Sequence, residues 1–375
     1  MACDFYQLAT PGVQGLHPYQ PGKPVEELER ELGIKNSIKL ASNENPQGPS
    51  PVAIAAIQAA LGESCRYPDA SGFKLKQALS DHYGISVNTI TLGNGSNDVL
   101  DLIGRTFLLP GDEVIYSEYS FVVYMLVAQS TGARAVVVPA RDWGHDLDAM
   151  AAAVTDKTRV IFLANPNNPT GTWFSDQAMR AFMAKVPENV IVVLDEAYLE
   201  YVSEPEYMSG LALQNEYPNL VVARTFSKAF GLAALRIGYA VAAPAITDLL
   251  NRVRQPFNVN IPALEAAAAV LSDSEYLQRS VEQNRTGMQQ LEQGFAQLGL
   301  GWIPSVGNFI TVDCGCDAAP LYAGLLQEGV IVRPVANYQM PNHLRVTIGL
   351  PDENNRFLAA FARVLKQQSG KADTL

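Results

Sequence analysis

Long apolar runs are missing from this chain of 375 residues, and none approaches the ~20 apolar positions a membrane-spanning helix needs. Its first residues, Met1-Ala-Cys-Asp-Phe-Tyr-Gln7, carry no basic stretch followed by an apolar one. No secretory signal is expected, and a cytoplasmic setting is. Cysteine is scarce. Cys3, Cys65, Cys314 and Cys316 are scattered, and Cys314-Gly-Cys316 lacks the CxxC spacing, so neither a disulfide framework nor a zinc site is expected. The four histidines do not cluster, which removes the other common zinc donors. Basic charge is short as well: 27 Lys and Arg face 38 Asp and Glu, for a net charge of -11. That balance argues against a nucleic-acid-binding face and, with no basic region or helix-turn-helix segment in front, against a DNA-binding regulator. Acidity also repels small anions at long range. A phosphate or carboxylate ligand therefore requires arginines concentrated locally, and Arg236, Arg333 and Arg345 are the candidates.

What is present is an ordered alternation. Length alone suggests two or three domains. Residues 1–30, with Pro11, Pro18, Pro21 and Pro24 among glycines, read as an irregular arm. Runs at 89–93, 113–116, 135–138, 159–163, 190–195 and 220–224 then alternate with helix-length segments. Continuous Val/Ile runs between helices mark strands buried on both faces. Residues 31–255 are therefore expected to form an α/β domain with a mainly parallel sheet. Beyond residue 255 the pattern predicts helices over 263–271 and 274–298, strands over 308–312, 330–332 and 343–347, and a closing helix over 353–366. This reads as a smaller α+β domain, 256–375, packed with the arm and fraying from Lys366.

Four polar signatures stand at predicted strand ends, where open α/β sheets bind ligands. Gly93-Asn-Gly-Ser-Asn-Asp98 opens a helix; its amides near Ser96 and Asn97 can face an anion, or Ser96 can serve simply as an N-cap. A third glycine of the dinucleotide fingerprint is absent, which argues against a nicotinamide site. Asn165-Pro-Asn-Asn-Pro-Thr-Gly171 forms a rigid loop presenting Asn168. Asp195-Glu-Ala-Tyr198 ends the most hydrophobic strand, so Asp195 is a helix cap or the partner of a buried cation. In Arg224-Thr-Phe-Ser-Lys-Ala-Phe-Gly231, Lys228 can form a Schiff base if burial or a neighbouring cation lowers its pKa. Ser227 and Arg236 supply donors for a phosphate nearby, which suits pyridoxal phosphate, an aldehyde carrying a phosphate.

Taken together, these segments resemble the fold-type I aminotransferases over nearly the whole chain. The resemblance narrows to the histidinol-phosphate aminotransferase family through Pro18-Tyr-Gln-Pro-Gly-Lys-Pro24, Lys39-Leu-Ala-Ser-Asn-Glu-Asn-Pro46, Arg66-Tyr-Pro-Asp69, Ala164–Gly171 and Leu344-Arg-Val-Thr-Ile-Gly349. It implies a large domain with a mainly parallel seven-stranded sheet, a smaller α+β domain, and pyridoxal 5'-phosphate bound to Lys228. Asp195 would pair with the pyridine nitrogen, and Tyr198 and Asn168 with the phenolic oxygen. Tyr119 would stack on the ring. Ser96, Asn97, Ser227 and Arg236 would hold the phosphate, and Tyr67 would reach the phosphate bound by a neighbouring subunit, which implies a homodimer with shared sites. Arg345 would take the donor's α-carboxylate, with Tyr19 and Arg333 near the substrate phosphate. The implied reaction is transamination between glutamate and imidazole acetol phosphate. Aromatic amino acid transamination and threonine-phosphate decarboxylation are the rival chemistries on the same scaffold.

Overall fold

The computed structural model describes residues 3–16 and 22–372, with side chains through residue 368. A sheet of seven strands runs in the order Ile90–Gly93, Gly238–Val241, Leu220–Thr225, Ile191–Asp195, Thr158–Ala164, Glu113–Ser117 and Arg134–Val138. All are parallel except Gly238–Val241, which is antiparallel to both its neighbours. Period-two alternation explains the β-branched runs, because each strand feeds two cores. Val160, Phe162 and Val193 enter one core with the helix Ser96–Phe107. Ile161, Leu163 and Val192 enter the other with Met179 and Phe182 of the helix Asp176–Met183.

Gly238–Val241 is the strand that the hydrophobic pattern did not announce. It is short and starts on glycine, a residue that weakens strand signals. Packing demands that glycine: a Cβ on Gly238 would sit 2.5 Å from the Ser96 amide nitrogen and 2.8 Å from the Arg224 carbonyl.

The C-terminal unit is a four-stranded antiparallel sheet, Arg333–Pro334, His343–Thr347, Phe309–Asp313 and Gly301–Ile303. The helices Ser274–Gln297, Ala318–Gln327 and Pro351–Ala372 cover it, with Leu291, Phe295, Leu321, Phe357 and Phe361 in its core. The closing helix spans Pro351–Ala372, past its expected end at Lys366. Ile38–Lys39 pairs in parallel with Val330–Ile331 and so ties this stretch to the C-terminal unit. The arm is less irregular than its prolines suggested, since it contains the single-turn helices Phe5–Leu8 and Pro11–Gln14 and the helix Val25–Leu32. Proline is tolerated in the first turn of a helix, where its missing N–H costs nothing. Among the described residues, no helix is long and apolar enough to cross a membrane.

Candidate active site

Gly93, Ala164, Asp195 and Thr225 end strands that point the same way, so the loops following them meet along one edge of the sheet. There Ser96, Asn97, Asn168, Asp195, Tyr198, Ser227, Lys228 and Arg236 line one cleft of about 320 Å³, together with Arg333 and Arg345 from the C-terminal unit.

One end can take an anion. Gly95 occupies the N-cap, at φ 85°, and Ser96 is the first helical residue, so the N-cap reading of Ser96 gives way to the amide reading. The first amides of a helix have no intrahelical acceptor and stand at the positive end of its dipole. Asp98 steadies the turn by accepting from the Asn94 amide and the Asn258 side chain, both at 2.8 Å. Arg236, in the left-handed region at φ 56°, donates to Ser227 Oγ at 3.2 Å and to the Ala233 carbonyl at 2.8 Å. Its guanidinium lies so close over Gly95 that a Cβ there would collide with it. A cation over a helix start is an unfavourable pair until an anion lies between them.

At the other end, Lys228 Nζ donates to the Ser42 carbonyl at 3.0 Å and stands 5.8 Å from the centre of the Tyr198 ring. Burial, and then the Arg345 and Arg236 cations, bring its amine down to about 7, against the pull of Glu44 and Asp195. The Tyr198 hydroxyl accepts from Asn43 Nδ2 at 2.9 Å and from Asn168 Nδ2 at 3.1 Å. With both lone pairs engaged, its own proton is left to donate. Burial holds that proton, raising the phenol to about 12. Arg345 donates to Asn168 Oδ1 at 2.6 Å and to the Ala41 carbonyl at 2.8 Å, so its planar fork is fixed from two sides.

Asp195 is buried. Oδ2 accepts the Tyr124 O–H at 3.0 Å, and Oδ1 has no hydrogen-bond partner among the described residues. Burial lifts its carboxyl to about 6, opposed by the Tyr124 phenol, the Ala197 amide and Lys228.

The chain matches the family model described as aminotransferase class I and II over residues 35–361. It belongs to the class I and II aminotransferases. It is 60% identical over 367 residues to histidinol-phosphate aminotransferase 2 of Pseudomonas fluorescens, covering 97% of this chain and 99% of the relative. It is 58% identical over 364 residues to the protein of the same name in Pseudomonas aeruginosa, with coverages of 96% and 99%. Among solved structures, it resembles the crystal structure of histidinol-phosphate aminotransferase from Sinorhizobium meliloti in complex with pyridoxal-5'-phosphate. The TM-score is 0.89 at 32% identity, over 96% of this chain and 98% of that one. The fold is fold-type I.

Tyr119, expected to stack on the ring, and Tyr67, expected to reach a neighbouring subunit's phosphate, do not line the cleft of this aminotransferase. The Tyr119 ring leans on Trp143, 5.1 Å away, and the Tyr119 carbonyl accepts from Asn167 Nδ2 at 2.6 Å. Phe121, where the chain turns into the helix Val122–Thr131, lines the cleft instead. Tyr67 is 81% exposed and stacks on Phe257 at 4.6 Å, in a separate groove. Tyr19 lies outside the described residues. Sequence reasoning missed Tyr124, Ser42 and Asn43. The Lys39–Pro46 motif pointed at the last two without giving them a task.

Beneath the cleft of this aminotransferase, Glu196 and Arg224 form a buried ion pair at 2.8 Å, with Arg224 also donating to Ser209 Oγ at 2.6 Å. The pair bridges the ends of two adjacent strands, directly after Asp195 and four residues before Lys228. Glu196→Ala strands a buried guanidinium, and the expected cost is about 3–5 kcal/mol. A lower urea midpoint at unchanged slope would show it.

Proposed function

We propose that this chain transfers an amino group between glutamate and imidazole acetol phosphate, giving 2-oxoglutarate and L-histidinol phosphate in histidine biosynthesis, with pyridoxal 5'-phosphate as cofactor. The observation that carries the cofactor reading is the match between the cleft's unspent groups and that molecule. Asp195 Oδ1 awaits a ring N–H, Tyr198 keeps a proton for a ring oxygen, the Ser96–Asn97 amides with Ser227 and Arg236 await a phosphate, and Lys228 offers an amine for the aldehyde. The near-complete coverage by relatives named histidinol-phosphate aminotransferase supports the substrate reading. When bound, the cofactor withdraws electrons from the substrate Cα and carries the amino group between the two half-reactions.

The chain's own residues do the rest. Asp195 would keep the ring nitrogen protonated, Phe121 walls one side of the cleft, and Lys228 Nζ would take the proton of the substrate Cα. Its lowered pKa suits that work, because a base is most effective when it titrates near the working pH. Arg345, fixed by Asn168 and Ala41, takes the α-carboxylate of glutamate. Arg333, on the strand paired with that of Arg345, lies where a second anion can be met. A guanidinium binds carboxylate and phosphate alike, so one cleft serves two unlike substrates in turn.

The functional unit in this reading is a homodimer in the cytoplasm. Tyr67, Phe257 and Phe73 expose aromatic surface, Phe73 to 66%, beside the groove lined by Arg66 and Tyr67. Exposed apolar area of this kind marks a contact surface, and Tyr67 would thereby reach the neighbouring subunit's phosphate. Steady-state kinetics test the substrate claim. Turnover of histidinol phosphate with 2-oxoglutarate is expected to exceed that of phenylalanine, and good activity with phenylalanine beside negligible activity with histidinol phosphate would overturn it.

A further inference from the structure

Asp195 is gripped from behind. Tyr124, which takes its Oδ2, is wholly buried on the helix Val122–Thr131. Its ring lies flat on Phe162, at 4.7 Å and 2°, and meets the Phe121 ring edge-on at 5.9 Å. Phe162 belongs to the strand beside that of Asp195, paired with Val193. Two aromatic contacts therefore set where the phenol points, and one of them is anchored in the sheet that carries the carboxylate. A carboxylate can turn about its last bond and offer either oxygen. Engaging Oδ2 removes that freedom and leaves Oδ1 as the oxygen on offer.

We propose that Tyr124 is a positioning residue, which pins Asp195 Oδ2 so that Oδ1 meets the ring N–H of the bound cofactor. The inference rests on the pyridoxal phosphate reading given above. The other groups that act on Asp195 are Lys228, Glu196 and the Ala197 amide. Glu196 spends its charge on Arg224. Tyr198 and Tyr338 are the remaining titratable neighbours of Tyr124. Tyr124 is thus the side chain that both orients the carboxylate and favours its charged form, since a hydrogen bond to an ionised acid stabilises that form.

The test uses the apoprotein, pyridoxal phosphate alone as ligand, and Tyr124→Phe, which keeps both ring contacts and removes only the hydroxyl. Affinity is followed by quenching of protein fluorescence from about pH 5 to 9. The variant is expected to bind roughly tenfold more weakly at neutral pH, the size of a lost hydrogen bond to a charged group. The acid side of its binding curve is expected to move up by about one pH unit, because the carboxyl protonates sooner without its donor. With Asp195→Asn already in place, removing the hydroxyl should change affinity by less than about twofold, because the two residues act as one. Chemical unfolding of each apoprotein reads fold integrity separately. Wild-type affinity and an unmoved acid side in Tyr124→Phe overturn the proposal. So does an equal loss with and without Asp195→Asn, which would make Tyr124 a packing residue only. If the wild-type protein binds no pyridoxal phosphate, the reading of the whole cleft fails, a result distinct from either of these.

Discussion

Lys228→Arg is expected to lower turnover by at least about 10⁴-fold, the upper range for loss of a positioned proton carrier. Arginine keeps the charge but has no neutral amine at any working pH, so it can neither capture an aldehyde nor accept a proton. The phosphate seat and Asp195 are untouched, so the variant should still bind the cofactor without a covalent link. Borohydride reduction followed by peptide mapping distinguishes the two outcomes. Wild type carries the label on the peptide containing Lys228, and the variant carries none. The acidity of Lys228 adds a pH signature. With its amine titrating near 7, the neutral, nucleophilic form is scarce below that value and dominant above it. The rate at which apoprotein captures pyridoxal phosphate should therefore rise with pH and level off above about 8. A rate still climbing at pH 10 would mean that burial and the two arginines do not depress this amine.

Asp195→Asn is expected to cost about 10³ in kcat while leaving the cofactor bound and coloured, since one electrostatic partner of the reacting system is lost and its other anchors remain. An amide cannot hold the ring nitrogen protonated, so the electron withdrawal that labilises the substrate Cα–H weakens. The same substitution should stabilise the apoprotein. Burial raises Asp195 to about 6 from an ordinary 3.8. A carboxyl raised on folding favours the folded state below its ordinary value, and that benefit is lost as the pH climbs through 6. At pH 8 the buried charge costs on the order of 3 kcal/mol, which asparagine does not incur. Thermal unfolding of apoprotein should place the variant above wild type at pH 8, with the gap closing toward about pH 4. Higher melting at pH 8 together with full activity would remove Asp195 from the mechanism.

Lys228, Asp195 and Asn168 were legible because each follows a Val/Ile run whose period assigns it to a buried parallel strand, and ligands gather at the ends of such strands. Arg345 was half legible. Alternation turned its side chain away from Leu344 and Val346, but only the packing of the C-terminal unit onto the cleft shows what it meets. Tyr119 came from the family resemblance, and nothing in the local sequence tells that Phe121, two residues on, is the aromatic lining the cleft. Tyr124 sits in the first turn of a mainly apolar helix and reads as an ordinary core aromatic. Its bond to Asp195 spans 71 positions and leaves no local trace. Ser42 and Asn43 meet partners 186 and 155 residues away. A motif can flag such a stretch, but only the fold tells what it touches.

The grips on Lys228 and Arg345 come from the Ser42 and Ala41 carbonyls, groups that every amino acid carries. Side-chain replacement at 42 leaves its acceptor in place, whereas position 41 also has to fit the core beside Leu28 and Ile331. Shifting the register of the stretch by one residue, by insertion or deletion between Lys39 and Pro46, would misplace both acceptors at once. The tolerance at position 42 is therefore to spelling and not to length.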